Sequence, residues 1–130
     1  MRQQSRTVLD ASAIMAVLWN EPGAEIVAVM LGSSVTNAVN LSEVVAKLAD
    51  KGMTRHDIQN MIEELRLNVV SFNVAQAYSA GFLRPATRSV GLSFGDRCCL
   101  ATAQILGLPA VTADRSWAEL DLGVEVRLIR

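Results

Sequence analysis

The residues of this chain best suited to chemistry are acids standing where apolar segments end. Asp10 follows Thr7-Val8-Leu9, and Asp114 follows Ala110-Val111-Thr112-Ala113. Glu43 lies in the amphipathic stretch 41–48, and Asp96 opens the stretch 94–106. Acids at strand ends and helix starts converge on one edge of an α/β sheet. Gathered there, they repel one another unless protonated or neutralised, and a hard divalent cation is their natural partner. A cation so held can bind a phosphoryl oxygen and lower the pKa of a bound water. The pattern points to metal-assisted chemistry on phosphate.

Other phosphate chemistries fit less well. A phosphate-binding NTPase needs a glycine-rich loop followed by Lys and Ser/Thr, which is missing. A receiver-type signalling domain needs an acidic pair at the first strand and an Asp after the third, where this chain has only Asp10 and Asn73. A haloacid-dehalogenase-like phosphatase wants a second Asp two residues after the first, where Ser12 stands. With His56 as the single histidine, a metal-free mechanism using two histidines is impossible.

The elements that would position these acids are legible in the periodicity. Val8-Leu9 forms the core of a first strand, followed by a helix over 12–20 that Glu21-Pro22-Gly23 stops. A second helix over 24–31 closes at Gly32, and Val35-Thr36 makes the second strand. Leu41, Val44, Val45 and Leu48 recur at helical spacing up to Gly52. Thr54 and Asp57 make a capping box for the next helix, residues 69–72 read as the third strand, and Asn73 with Gln76 caps a helix to about Leu83. Residues 84–88 read as a basic loop. Ser93 starts a helix ending at Gly107, residues 109–112 give a strand, 116–120 a helical turn and 124–129 a last strand. Strands separated by helices imply a mainly parallel sheet covered on both faces, with ligands beyond the carboxyl ends of the strands.

Composition bounds the answer. The 130 residues make one domain, 51% of them hydrophobic and 19% charged, as in a compact soluble protein. A formal net charge of −1 argues against a general nucleic-acid coat, but not against an enzyme with a local basic rim. Cys98 and Cys99 are adjacent, which excludes a disulfide framework and favours a reducing compartment. Residues 1–6 lead into only a short apolar run, so neither a signal peptide nor a membrane span is expected, and a cytoplasmic location is.

In their settings, the acids resemble the PIN-domain ribonucleases, and more narrowly the VapC toxins of VapBC toxin–antitoxin pairs. Val8-Leu9-Asp10-Ala11-Ser12-Ala13 resembles the first-strand motif of that family, and Asn40-Leu41-Ser42-Glu43-Val44 its helical glutamate motif. Gly91-Leu92-Ser93-Phe94-Gly95-Asp96-Arg97 resembles the loop delivering the third acid, and Thr112-Ala113-Asp114-Arg115 the fourth-strand motif. The likeness spans the whole chain, residues 1–130, as a single PIN domain. It implies a three-layer α/β/α fold with sheet order 3-2-1-4-5, Mg²⁺ or Mn²⁺, an RNA substrate, a cognate VapB-type antitoxin and a homodimer. Many relatives carry a further acid just after the fourth, where this chain has Ser116. That favours one metal over two.

Under this reading Asp10, Asp96 and Asp114 are the metal ligands and Glu43 joins them catalytically. Ser12 and Thr112 are placed to hydrogen-bond the carboxylates, and Arg84 and Arg88 could grip RNA phosphate. Each acid also has an ordinary structural use. Asp10 suits a helix N-cap, Asp96 completes capping-box spacing with Ser93, Glu43 could pair with Lys47, and Asp114 could stabilise the turn before Ser116. The rival to an enzyme is a PIN-like domain that binds RNA or protein without cutting.

Overall fold

The computed structural model describes residues 6–130, so the expectation of a leader-free start concerns residues that lie almost wholly outside it. Five strands, β1 (Thr7–Leu9), β2 (Ser34–Asn37), β3 (Asn68–Val70), β4 (Ala110–Thr112) and β5 (Val126–Leu128), form one sheet in the order β3-β2-β1-β4-β5. Every pairing is parallel, so the mainly parallel expectation becomes an all-parallel sheet. β1 is central. Thr7 and Val8 pair with Ser34 and Val35 on one side, and Val8 and Leu9 pair with Ala110 and Val111 on the other. The strand order reverses between β1 and β4, which opens a crevice at their carboxyl ends.

Alternation along the strands divides the interior into two layers. Val8, Val35 and Ala110 face a core shared with Leu83, Cys99, Leu100 and Trp117. Leu9 and Val111 face the opposite core with Ile14, Val27, Val44, Leu48 and Ile58. Helices cover both faces: α1 (Ala11–Leu18), α2 (Ala24–Ala28), α3 (Ala38–Asp50), α4 (Arg55–Leu65), α5 (Val74–Phe82), α6 (Arg84–Thr87) and α7 (Phe94–Leu106). Their starts are chemically marked. Asp10, Asn37, Thr54, Asn73 and Ser93 each accept a backbone N–H from three residues on, as N-caps do.

The structure departs from the sequence reading in a few places. The helix expected over 24–31 is only Ala24–Ala28, followed by a 3-10 turn at Leu31–Ser33. Ser34 Oγ donates to the Met30 carbonyl at 2.7 Å, taking up an acceptor that a continuing helix would use. Residues 84–88 are not a loop. Arg84–Thr87 is helical and passes into a 3-10 turn at Arg88–Val90. Pro85 acts as a first-turn residue, where its missing N–H costs nothing, and the buried Thr87 hydroxyl donates to the Leu83 carbonyl at 2.9 Å. Of the capping box expected at Thr54 and Asp57, only the bond from Asp57 N to Thr54 Oγ1 is present among the described residues. No helix among them is long and apolar enough to cross a membrane.

Candidate active site

Asp10 occupies the most constrained position of the acids. It directly follows the central strand, caps α1 and is only 4% exposed. Its Oδ1 accepts from Ser12 Oγ at 2.7 Å and from Ala13 N at 2.9 Å, and its Oδ2 accepts from Thr112 Oγ1 at 2.8 Å. Burial pushes its pKa up from 3.8 to about 6; the three hydrogen bonds pull the other way, and the nearby Asp96 charge adds to the rise. Desolvation wins, so the fold holds a carboxylate that takes up a proton more readily than a free one.

Thr112 ties the two strand-end acids together. Its hydroxyl serves Asp10, accepts from Asp114 N at 3.0 Å and lies 3.3 Å from Ser12 Oγ. Ser12 Oγ in turn accepts from Ala113 N at 2.9 Å, so each hydroxyl links β1 to the segment after β4. Asp114 itself is exposed. Its Oδ1 accepts from Ser116 N at 2.9 Å and Ser116 Oγ at 2.7 Å, capping the 3-10 turn Arg115–Glu119.

Glu43 and Asp96 meet through the starts of α3 and α7. The Glu43 carboxylate lies against Gly95, where a Cβ would collide with it. Asn40, fully buried, donates from Nδ2 to Glu43 Oε1 at 2.7 Å and to the Gly95 carbonyl at 3.1 Å. The ion pair envisaged between Glu43 and Lys47 is not formed. Asp96 closes a reciprocal capping box with Ser93: Ser93 N donates to Asp96 Oδ2 at 3.0 Å and Asp96 N to Ser93 Oγ at 3.1 Å. Asp10, Asp96 and Glu43 are all close enough to the buried Cys99 thiol for their charges to add to the burial that raises its pKa. Asp114 is not among the charges it feels.

Asp10, Asp96 and Glu43 are therefore neighbours around Cys99, and Asp114 is linked to Asp10 through Thr112. Among the described residues no group of three or more His, Cys, Asp or Glu side chains is spaced to hold a metal. The donor chemistry nonetheless suits Mg²⁺ or Mn²⁺, being carboxylate and carbonyl oxygen throughout. Asn40 Oδ1, buried and without a hydrogen-bond partner, leaves one further acceptor open beside Glu43.

Residues outside the acids divide clearly. Arg84 and Arg88 are exposed on α6 and the turn after it, and neither side chain bonds to an acid among the described residues. Arg97 is not a solvated surface arginine: its Nη1 donates to the Ala80 carbonyl at 3.0 Å, and its guanidinium lies 5.7 Å from the Phe94 ring centroid. Sequence reasoning missed Asn40 and Gly95. Asn40 sits three residues before Glu43, on the same helix face, and that spacing was the available signal.

An all-parallel sheet in the order β3-β2-β1-β4-β5, with helices on both faces and acids at the reversal of strand order, defines a PIN-like three-layer α/β/α fold. Within it, the PIN domain family model matches residues 7–122, and the chain belongs to that family. Similar solved structures include the DNA-bound VapBC of Salmonella typhimurium, with TM-score 0.78 and 19% identity over 98% of this chain and 100% of that one. VapBC-1 of nontypeable Haemophilus influenzae gives 0.73 and 20% over 95% and 98%. FitAcB of Neisseria gonorrhoeae gives 0.68 and 22% over 95% and 97%. At such identities the likeness is one of fold. No curated protein matches the sequence.

Proposed function

We propose that this chain is the toxin of a VapBC-type pair: a Mg²⁺- or Mn²⁺-dependent endoribonuclease acting in the cytoplasm, held in check by a VapB-type antitoxin. The observation that carries the reading is the Asp10 network. A carboxylate 4% exposed, at the end of the central strand of a PIN domain, is costly to keep and has Asp96 close by. Buried acids of this kind cluster at functional sites. The solved relatives by fold include chains of toxin–antitoxin complexes, which supports the antitoxin partner.

In this reading Asp10, Asp96 and Asp114 hold the cation, and Ser12 and Thr112 fix the Asp10 carboxylate through their hydroxyls. Once bound, the cation would supply charge neutralisation at the phosphoryl oxygens and an acidified water. Glu43, oriented by Asn40, accepts the proton of the attacking water. Arg84 and Arg88 lie exposed and could contact flanking phosphates. An apolar hollow of about 560 Å³ between α3 and α4, lined by Leu41, Val45, Met53, Ile58 and Ile62, suits an apolar antitoxin segment. Val74, Tyr78 and Phe82 form an exposed stripe on α5, which favours a homodimer.

Incubating the purified chain with RNA and Mg²⁺ or Mn²⁺ tests the reading, with Asp10→Asn and Asp96→Asn as controls. Metal-dependent 5′ ends that vanish in both variants support it. A second reading, a PIN domain that binds RNA without cutting, draws on the acids not being spaced to hold an ion. RNA binding with no cleavage in either metal would favour that one.

A further inference from the structure

Ser12, which hydrogen-bonds Asp10, also lines a groove of about 750 Å³ between α1 and α3, together with Met15, Trp19, Lys47, Lys51 and Arg130. We infer that this groove is the track of a single RNA strand, with Trp19 stacking on an unpaired base and Lys47 and Lys51 neutralising successive phosphates. The inference rests on the ribonuclease reading above and says where its substrate lies.

Continuity with the site is the first argument. Ser12, which lines the groove, is the residue whose hydroxyl donates to Asp10 Oδ1 at 2.7 Å. Lys47 lies on α3 four residues after Glu43, and Lys51 caps the C-terminus of that helix four residues further on, a spacing of about 6 Å per step along the helix axis. A strand leaving the acids along α3 therefore meets a cation at each turn. Both lysines are exposed, and among the described residues neither makes an ion pair.

The second argument is charge and aromatic surface together. The groove holds Lys47, Lys51 and Arg130 against Glu21 and Asp50, and Arg130 already faces Glu21 at 3.6 Å. The two lysines thus outnumber Asp50 in a chain whose formal net charge is −1. Trp19, at the end of α1, keeps 43% of its surface exposed, while Trp117 is fully buried. Cations lining an aromatic platform are the usual means of holding a single strand without reading its sequence.

The test is binding of an unstructured oligoribonucleotide of about 12 nucleotides, dye-labelled at one end, to the whole chain in EDTA, followed by fluorescence anisotropy of the dye across a salt series. Because Trp117 is buried, tryptophan quenching in the wild type separately reports on Trp19. Trp19→Ala should weaken binding roughly 5- to 150-fold and Trp19→Phe should restore much of it. Replacing both lysines by Ala should lower the slope of log affinity against log salt by about 1.4. Arg55→Gln with Arg66→Gln removes the same charge from the two ends of α4 and should leave the slope unchanged. A wild type that cleaves RNA while the tryptophan and lysine variants bind as it does overturns the groove and leaves the ribonuclease reading standing. Loss of affinity for a protein partner alone, with RNA binding intact, also overturns it. A chain that neither binds nor cuts RNA overturns both.

Discussion

Asp10 and Asp114 both follow strands of the same sheet, yet the fold treats them oppositely. Asp10 is buried, fixed by three donors and shifted toward protonation. Asp114 is exposed and spends one oxygen on the turn that follows it. β1 lies at the centre, flanked by β2 and β4, so its end is covered by α1 and the loop after β4. The segment after β4 turns outward at once. Position in the sheet, rather than residue type, decides which acid is costly. A costly acid is retained where function needs it, whereas an exposed cap can serve its turn and still leave an oxygen free for function.

The largest effects should come from amidating each acid. Asp10→Asn keeps an acceptor for Ala13 N and removes the buried charge. We expect metal-dependent cleavage to fall at least about a hundredfold, since even groups that only support a metal ligand cost that much. Stability in the metal-free protein should rise, by up to roughly 3 kcal/mol above pH 6, the value of a shift from 3.8 to about 6. Asp114→Asn should also lose activity, but Asn caps as well as Asp, so stability should move by less than about 0.5 kcal/mol. Urea titrations of both variants read the contrast directly; an Asp10→Asn protein less stable than wild type at pH 7.5 breaks it.

The pH dependence sharpens the same comparison. Between 3.8 and about 6, folded Asp10 holds a proton that the unfolded chain has released. Unfolding free energy from this group therefore falls as pH rises through that window and is flat above it. This is the reverse of the usual salt-bridged carboxylate. The difference between wild type and Asp10→Asn isolates the group from all other acids, and should grow from near zero at about pH 3 to roughly 3 kcal/mol at about pH 7. Mn²⁺ at a hundred times its dissociation constant should return about 2.7 kcal/mol to the wild type and much less to the variant.

How far the sequence reached follows the same division. Strand order rested on a family resemblance, while the caps Asn73 and Ser93 and the helix end at Gly107 were local and legible. The acids were visible because each breaks an apolar run. Their inequality was not, because burial at the end of β1 depends on Thr112, 102 residues away. Gly95 was equally opaque: its need for a missing side chain comes from Glu43 on another helix. The segment 84–88 reads as a basic loop, yet Pro85 stands in the first turn of a helix, where its missing N–H costs nothing.

Gly95 offers a contrast within helices. Gly81 on α5 has nothing within 4 Å of the place a Cβ would occupy, whereas a Cβ at Gly95 meets the Glu43 carboxylate. Gly81→Ala should stabilise by about 0.5–1 kcal/mol through helix propensity alone. Gly95→Ala gains the same term but must push Glu43 aside, an overpacking cost of about 1–3 kcal/mol. We expect a net loss of stability and a fall in cleavage, with Gly81→Ala cleaving as wild type. Equal stabilisation by both substitutions would mean that Glu43 moves freely, and that its seat on Gly95 matters to neither packing nor chemistry.

The smallest effect concerns Ser116, which hydrogen-bonds Asp114. Ser116 donates from both N and Oγ to Asp114 Oδ1. Ser116→Ala keeps the backbone bond and removes the hydroxyl, which should cost about 0.5–1 kcal/mol, the net worth of one hydrogen bond. Its effect on cleavage discriminates between two uses of Asp114. If Asp114 is a cap only, losing one donor leaves the rate unchanged. If Asp114 turns toward a cation, the hydroxyl competes for the same oxygen, and Ser116→Ala should bind Mn²⁺ more tightly. Titrating Mn²⁺ against thermal stability in wild type and Ser116→Ala separates these cases. An unchanged midpoint would assign Asp114 to the turn and leave Asp10 and Asp96 to carry the metal.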